Sequence, residues 1–481
     1  MAQTNDDQLK AKVDAYVDEV WEDVVEDIRT LVRIESVEDL SAAEPGKPYG
    51  PKANEALVAA EGIASRLGLA VTDLDGCIGY GEVTGREGAP YVATIAHSDI
   101  VPVGLGWTVP ALDVTRREGY LMGRGVLDDK GPLVLSLWAA HFFALQVKET
   151  GESLPYALRC IIGNNEETNM ADVEHYLDRC PEPAFCFSPD ADFPLICGEK
   201  GLFGGSFTSE PMMGRVIEEL DGGTVSNAIP GQATALVRVD AEELPTAAHV
   251  DVEPAGEGLA RVTAHGKGGH ASMPAGTVNA ICVLADYLLA NVPGLTDTEK
   301  RWLHLEHEVC HASDGKPLGI ASADDKFGEL TCIGGTVRTK GDRFVQTIDA
   351  RYPTSTSGSR ITVELRRFAT RFNANFEEGR DVEPFYIDPS SPEITTLLET
   401  YAEYTGREGK AFTIGGGTYA RHFRRACAFG PHEPYAKEPS WVGIEHGPDE
   451  AVSEESLRRA LKIYIVSIAR LMELELTEPT A

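Results

Sequence analysis

Four short apolar runs punctuate the chain, at residues 91–96, 156–162, 184–187 and 411–414. Continuous apolar runs of this length are typical of strands that are buried on both faces of a parallel sheet. Stretches with helical periodicity separate most of the runs. This alternation predicts an α/β fold, in which helices flank a mixed, mostly parallel sheet.

The middle of the chain has a different pattern, in which apolar and polar positions alternate. Residues 233–240, 258–265 and 343–351 show it most clearly. Alternation of this kind indicates antiparallel strands with one face toward water. The sequence therefore predicts an α+β region that is inserted into the α/β fold.

A chain of 481 residues is too long for one hydrophobic core, so two domains are expected. We assign residues 1–199 and 385–481 to one α/β domain and residues 200–384 to the inserted α+β domain. The helical pattern that returns at residues 393–404 and 453–475 supports the second boundary.

Two predicted helices bear on the location of the protein. The first 34 residues are acidic with apolar residues at helical spacing, which indicates a surface helix and not a signal peptide. Residues 132–147 form the longest apolar run, but the run is too short to span a bilayer and includes Ser136 and His141. We predict a buried helix there.

The net charge and the cysteine content indicate which partners and which compartment the sequence favours. The formal net charge of −33 repels phosphate backbones and anionic lipids, which argues against nucleic acid and membrane partners. Nine cysteines without a CxxC pair fit reduced thiols in the cytoplasm.

Polar clusters follow three of the apolar runs at once: His97-Ser98-Asp99, then Asn164 to Glu167, then Ser188-Pro189-Asp190. Functional sites of parallel α/β sheets form at the carboxyl ends of the strands. We therefore expect the three clusters to meet in one crevice.

Five residues in these clusters and in two further motifs are candidate metal ligands: His97, Asp128, Glu167, Asp190 and His446. Two imidazoles and three carboxylates suit zinc, manganese or cobalt better than a soft metal. Two divalent cations, three carboxylates and one hydroxide also sum to zero charge, as a buried site requires.

The order of motifs resembles a known enzyme family. The motifs are HSDIVP, GRGVLDDKGP, NNEET, SPDADFP, GKGGHASMP, GGGTYAR and HGPDE. They resemble the co-catalytic metallopeptidases that include aminoacylases, carnosinases and carboxypeptidase G. The SPDADFP and DARYP segments and the long insertion are most similar to the PepV group of bacterial dipeptidases. One departure is visible, because Asn165 stands where the family usually has aspartate.

The resemblance implies a role for each candidate ligand. One metal would be held by His97, Asp128 and Asp190. The other would be held by Asp128, Glu167 and His446, so that Asp128 bridges two ions. Two such cations lower the pKa of a water that they share. The resemblance also implies a cis peptide bond between Asp128 and Asp129.

The resemblance implies further catalytic and substrate-binding residues. Glu166 would be the general base, and Asp99 would orient His97. His270, in the inserted lid domain, would donate to the oxyanion, which requires the two domains to close over the substrate. Asn227, Arg351 and Gly416 would contact the substrate: Arg351 as a clamp on a terminal carboxylate, and Gly416 in a tight turn.

The implied activity is hydrolysis of dipeptides that have a free carboxylate, by a monomeric enzyme with two zinc, manganese or cobalt ions. An N-acyl amino acid deacylase or a β-alanyl dipeptidase is the alternative. A competing motif, His307-Glu308-Val309-Cys310-His311, matches the zincin pattern HExxH. Short motifs of this kind also arise by chance, and we interpret His304, His307 and His311 as one face of a helix.

Overall fold

The computed structural model of the protein describes residues 2–478. Met1 and residues 479–481, which the predicted domain boundaries include, lie outside the described residues. None of the helices in the described part has both the length and the apolar character that a membrane span needs.

The chain forms two compact units. The first unit contains Met1–Cys197, Tyr386–Phe412 and Gly417–Ala481, and the second contains Gly198–Phe385 and Thr413–Gly416. Thr413–Gly416 thus groups with the second unit, whereas the sequence assigned this segment to the α/β domain.

The α-helices are distributed over both units. In chain order they are α1 Ala2–Val32, α2 Pro51–Arg66, α3 Lys130–Thr150, α4 Ala171–Leu177, α5 Ala280–Asn291, α6 Asp297–Cys310, α7 Gly358–Thr370, α8 Pro392–Thr405 and α9 Glu454–Leu471.

Helix α3 is the buried helix that the apolar run predicts. Its first ten residues are all buried, and it packs against β3 and α9 among other elements. Gly151 follows the helix in a left-handed conformation (φ 72°), and its backbone amide donates to the carbonyl of Val147 at 2.8 Å.

The first unit is built around a large sheet with the strand order β1-β2-β6-β3-β7-β24-β9-β22. Strand β3 pairs in parallel with both β6 and β7, which confirms the predicted α/β class. The strands up to Glu199 are β1 Ala70–Leu74, β2 Ile78–Val83, β3 Tyr91–His97, β4 Thr115–Arg117, β5 Tyr120–Met122, β6 Ala157–Gly163, β7 Phe185–Ser188, β8 Ala191–Asp192 and β9 Ile196–Glu199.

The second unit contains an antiparallel sheet with the order β14-β15-β13-β11-β19-β20-β10-β21. The alternating stretches of the sequence form β13, β15 and β20 of this sheet. The strands of this region are β10 Gly201–Thr208, β11 Ile217–Gly222, β12 Ala228–Ile229, β13 Gln232–Val237, β14 Val250–Gly256, β15 Leu259–His265, β16 Gly269–His270, β17 Ala323–Asp324, β18 Gly328–Glu329, β19 Thr331–Lys340, β20 Arg343–Tyr352 and β21 Asn375–Val382.

The remaining strands are β22 Phe385–Tyr386, β23 Phe412–Ile414, β24 Ala426–Ala428, β25 Pro431–His432 and β26 Ala451–Ser453. Strand β23 corresponds to the apolar run at residues 411–414. It is half-buried and lies off the main order of the sheet, so the prediction that this run is a buried parallel strand is wrong.

Candidate active site

The polar clusters after β3, β6 and β7 meet at one edge of the first unit's sheet. In the parallel register His97, the last residue of β3, lies opposite Gly163, the last residue of β6. The Nε2 atom of His97 lies 3.7 Å from Oδ2 of Asp190, which follows β7. The three clusters thus form one crevice at the carboxyl ends of the strands.

The carboxylate of Asp128 lies between two imidazoles. Its Oδ1 is 3.1 Å from Nε2 of His97, and its Oδ2 is 2.9 Å from Nε2 of His446. The same Nε2 of His446 lies 3.1 Å from Oε2 of Glu167. Each imidazole therefore has Asp128 on one side and a second carboxylate close by, which is the arrangement that a bridging ligand requires.

The two histidines reach the crevice in different ways. His97 is fully buried, and its Nδ1 is 3.0 Å from the backbone carbonyl of Asp99. The side chain of His446 is half exposed, and its backbone is in the left-handed region (φ 62°). Non-glycine residues in this region cost about 1 to 3 kcal/mol and are concentrated at functional sites.

The backbone after Asp128 also matches expectation. The peptide bond between Asp128 and Asp129 is cis, as the resemblance implies. The side chain of Asp129 is buried, and its Oδ2 accepts a hydrogen bond of 2.9 Å from the backbone amide of His97.

Several carboxylates crowd the same crevice. The ligand atoms of His97, Glu166 and Asp190 lie within 4.8 Å of one another, and so do those of His97, Asp128 and Glu167. Burial, followed by the charge of Asp190, raises the pKa of Glu166 well above its usual range. Burial and the charge of Asp128 raise the pKa of Asp190 to about 7. Buried carboxylates this close together stay ionised only where enough positive charge lies nearby.

The pKa values of the two imidazoles are also raised, which favours their charged forms. Hydrogen bonds to Asp128 and then Glu167 raise the pKa of His446 to about 11. Burial opposes the charge on His97, but hydrogen bonds to Asp128 and Asp99 outweigh it and raise the pKa of His97. Divalent cations would add positive charge beside these carboxylates, and imidazole and carboxylate are the ligands that such cations prefer. The residues present therefore fit a metal centre.

Asp99 holds the loop that carries the two glutamates. Its Oδ1 accepts from the backbone amide of Glu166 at 3.2 Å, and its Oδ2 accepts from that of Glu167 at 3.1 Å. The carboxylate of Asp99 is 3.4 Å from Nδ1 of His97, farther than its own carbonyl at 3.0 Å. Asp99 thus contacts His97 mainly through its backbone.

Asn165 has a structural reason to be an amide. Its Nδ2 donates to Oε1 of Glu38 at 2.8 Å and to Oγ1 of Thr168 at 2.6 Å, and its Oδ1 accepts from the amide of Ala171. An aspartate here would place a second carboxylate against Glu38. The departure from the family motif is therefore matched by a partner elsewhere in this chain.

We expect Asn165→Asp to lower the free energy of unfolding by about 1 to 3 kcal/mol, because a buried donor is lost and two carboxylates face each other. Chemical denaturation measures the effect. Asn169→Asp is the matched control, because the exposed Asn169 uses only its Oδ1, as an acceptor for the amide of Ala171. Equal stability of wild type and Asn165→Asp contradicts this account.

In the second unit, His270 and Asn227 lie next to each other. Ala228 pairs with His270 across β12 and β16, and the carbonyl of Asn227 accepts from the amide of Ala271 at 2.9 Å. The ring of His270 is exposed, and its Nδ1 is 2.7 Å from Oγ of Ser272 and 3.3 Å from the amide of Ser272.

Arg351 and Gly416 belong to the same unit. Arg351 is buried, and its Nε and Nη2 donate to Asp349 at 2.6 and 3.1 Å. Its Nη1 donates to the carbonyl of Gly415 at 3.0 Å, next to Gly416. A β-carbon on Gly415 would lie 2.8 Å from Cβ of Ser272, so the close approach requires glycine at 415 and not at 416.

Comparison with known proteins identifies the family. A sequence model of the peptidase family M20/M25/M40 matches residues 93–470. The chain belongs to this family. It is therefore a peptide hydrolase, as its motifs predict.

Curated relatives match almost the whole chain. A putative dipeptidase, YtjP, of Bacillus subtilis (strain 168) is 31% identical over 469 residues, with 94% of this chain and 97% of that protein covered. A Beta-Ala-Xaa dipeptidase of Lactobacillus delbrueckii subsp. lactis is 31% identical, with 93% and 96% covered. Human carnosine dipeptidase 1 has the same fold, with a TM-score of 0.60 at 14% identity and coverage of 97% of this chain and 99% of that one.

Glu450 supports this M20 site but was missed in the sequence. It is fully buried, pairs with Arg124 at 2.5 Å, and its Oε1 accepts from the amides of Gly125, Leu127 and Asp128 at 3.0, 3.0 and 3.3 Å. Glu450 thereby holds the loop that presents Asp128. Its position in the HGPDE motif, four residues after His446, was the available signal.

Tyr419 and Asp172 form a second supporting pair. Asp172 is buried, and its Oδ2 accepts from the hydroxyl of Tyr419 and from the amides of Asn164 and Asn165. The ring of Tyr419 lies 6.3 Å from that of His97, edge to face. Tyr419 lies in the GGGTYAR motif, but nothing in the sequence around Asp172 indicates its role.

Proposed function

We propose that the protein is a two-metal dipeptidase that hydrolyses dipeptides with a free C-terminal carboxylate. The observation that carries the proposal is the position of Asp128 between His97 and His446, each of which has a further carboxylate close by. A single cation site would not need a carboxylate that faces two imidazoles with its two oxygens.

Two divalent cations, zinc in the first place and manganese or cobalt otherwise, supply Lewis-acid polarisation of the scissile carbonyl and lower the pKa of a water. His97, Asp128 and Asp190 would hold one of them, and Asp128, Glu167 and His446 the other. The side chain of Glu166 lies beside His97 and Asp190. From there Glu166 takes a proton from the attacking water and returns it to the leaving amine.

His270 would stabilise the oxyanion that develops on the scissile carbonyl. The backbone amide of Ser272 points to Nδ1 of His270, so Nδ1 is the acceptor and the ring hydrogen lies on Nε2. A neutral imidazole in this tautomer donates through Nε2, and a hydrogen-bond donor is what stabilises an oxyanion.

Arg351 would bind the terminal carboxylate. A guanidinium has five N–H donors, and Arg351 uses three of them on Asp349 and Gly415. Asp349 fixes the orientation of the side chain, and two donors remain for a planar, charged ligand. Asn227 and Gly416, at neighbouring places in the same unit, would complete the binding of the substrate.

The decisive experiment compares a free dipeptide with an N-acetyl amino acid on the purified enzyme. We expect the dipeptide to be cleaved much faster, activity to disappear on treatment with a chelator, and zinc, manganese or cobalt to restore it. Preferential cleavage of the N-acetyl amino acid would make the protein a deacylase. Full activity in the presence of the chelator would end the two-metal proposal.

A β-alanyl dipeptidase is the second candidate, because the Lactobacillus relative is a Beta-Ala-Xaa dipeptidase and 31% identical. Turnover of β-Ala-Xaa and α-Ala-Xaa pairs with the same second residue separates the two. Membership of the PepV group, a monomeric state and a cytoplasmic location are further parts of the proposal. The location is supported by nine cysteines that are all free thiols.

We expect Arg351→Ala to lower kcat/KM for a dipeptide by about 10- to 100-fold, because a charge-assisted contact is lost. The wild type and the variant should both cleave the C-terminal amide of the same dipeptide poorly. The variant therefore no longer distinguishes the free carboxylate from the amide. Arg351→Lys should restore little of the lost kcat/KM, since lysine cannot bind a carboxylate bidentately. Arg360→Ala, at an exposed arginine of α7, is the control. Equal cleavage of acid and amide by the wild type contradicts the clamp.

A further inference from the structure

The HExxH motif of the second unit does not form a zincin-type pair. His304 and His307 lie on α6, as the helical interpretation predicts, whereas His311 is the residue that follows the helix. The two rings are stacked with centroids 4.6 Å apart, and Nδ1 of His311 donates to the carbonyl of His307 at 2.9 Å. His307, by contrast, faces the neighbouring helix α5.

Three different donor atoms converge where α5 and α6 pack together. Nδ1 of His307 is 2.7 Å from Oδ1 of Asp286, and Sγ of Cys282 is 3.9 Å from both Nδ1 of His307 and Oδ2 of Asp286. Cys282 and Asp286 are one helical turn apart on α5, so both side chains lie on the same face. The two 3.9 Å separations are close to those between ligand atoms of a tetrahedral zinc ion at about 2.0 to 2.3 Å. His307 and Asp286 are at hydrogen-bond distance and would move slightly apart to share an ion.

The cleft beside the three donor atoms has room for an ion, and a buried acid without hydrogen-bond partners precedes His307 in the chain. Cys282, Asp286 and His307 line a cleft of about 280 Å³, and Asp286 is exposed to solvent. Glu306, which precedes His307 in the chain, is fully buried, and neither of its carboxylate oxygens has a hydrogen-bond partner.

We propose that Cys282, Asp286 and His307 bind one zinc ion, in addition to the metals proposed for the first unit. One sulfur, one carboxylate oxygen and one imidazole nitrogen are a donor set that zinc accepts, and solvent takes the fourth position. On binding, the bond from sulfur to hydrogen is replaced by one from sulfur to zinc, and the proton leaves to solvent.

Cobalt(II) is the probe that distinguishes this site from the first unit's centre. A cobalt ion with a thiolate ligand gives a near-ultraviolet charge-transfer absorption, and the candidate ligands of the first unit include no cysteine. We expect this absorption when Co²⁺ alone is added to the metal-free, phosphine-reduced protein, with saturation at one thiolate-bound ion per chain. Zinc should then abolish the absorption by displacing cobalt.

Variants assign the absorption to residues. Cys282→Ser should abolish it, and Asp286→Ala, at an exposed position, should weaken cobalt binding at least about tenfold. Cys180→Ser and His311→Ala are the controls that should retain it. Absence of the absorption in the wild type overturns the proposal, as does its persistence in Cys282→Ser. Loss in His311→Ala overturns the ligand set in favour of the HExxH pair.

Discussion

Glu166→Ala should lower kcat for a dipeptide by about 10² to 10⁴-fold while the metal content of the enzyme stays unchanged. Glu166 lies beside His97 and Asp190 in the crevice, but the proposed ligands do not include it. Its removal takes away the proton acceptor and leaves the five ligands in place. KM should change little, because the contact is made in the reaction and not in binding.

Two measurements check this result together. Elemental analysis of the purified variant gives the metal content, and steady-state kinetics give kcat and KM. Glu174→Ala is the matched control, since Glu174 is an exposed glutamate on α4, a few residues along the chain. A variant with full metal content and near-normal kcat shows that Glu166 is not the base. A variant without metal shows instead that it is a ligand.

Glu450→Ala should have the largest effect on stability, a loss of about 3 to 5 kcal/mol in the free energy of unfolding. The change leaves the buried Arg124 without its partner and the amides of Gly125, Leu127 and Asp128 without their acceptor. Since this loop presents Asp128, metal affinity should also fall by about 10- to 100-fold.

The conditions and the control for Glu450→Ala follow from its surroundings. Burial, followed by the charge of Asp128, raises the pKa of Glu450 to about 7, so denaturation is measured at pH 8, where the carboxylate is ionised. Asp14→Asn breaks a more exposed ion pair with Lys462 and should cost less than about 1 kcal/mol. Similar losses in the free energy of unfolding for the two variants would show that the buried Arg124–Glu450 pair contributes no more than an exposed one.

The sequence predicted those parts of the fold and the candidate site that depend on local pattern. Strands β3, β6 and β7 are continuous apolar runs, and each ends at a polar cluster. Because parallel strands end at one edge of a sheet, the proximity of His97, Glu167 and Asp190 follows from their places in the chain. Their roles as ligands rest on the resemblance and on the geometry together.

Contacts between distant parts of the chain could not be predicted in this way. Strand β24 has only three residues, too few to show a period, although it is a fully buried strand between β7 and β9. The 411–414 run looks equally apolar, yet it lies off the main order of the sheet. Glu450 and Asp172 are acids among 76, and only the amides and partners that they meet distinguish them.

The first unit is formed from separate parts of the chain, so it can be completed only late in synthesis. A ribosome that has reached residue 416 has made every residue of the second unit. The same nascent chain still lacks β24, which separates β7 from β9 in the sheet, and it lacks His446 and Glu450. The inserted unit can therefore fold during synthesis. If His446 is a metal ligand as proposed, the active site is complete only when the last segment of the chain has been made, and we expect a shorter product of translation to be inactive.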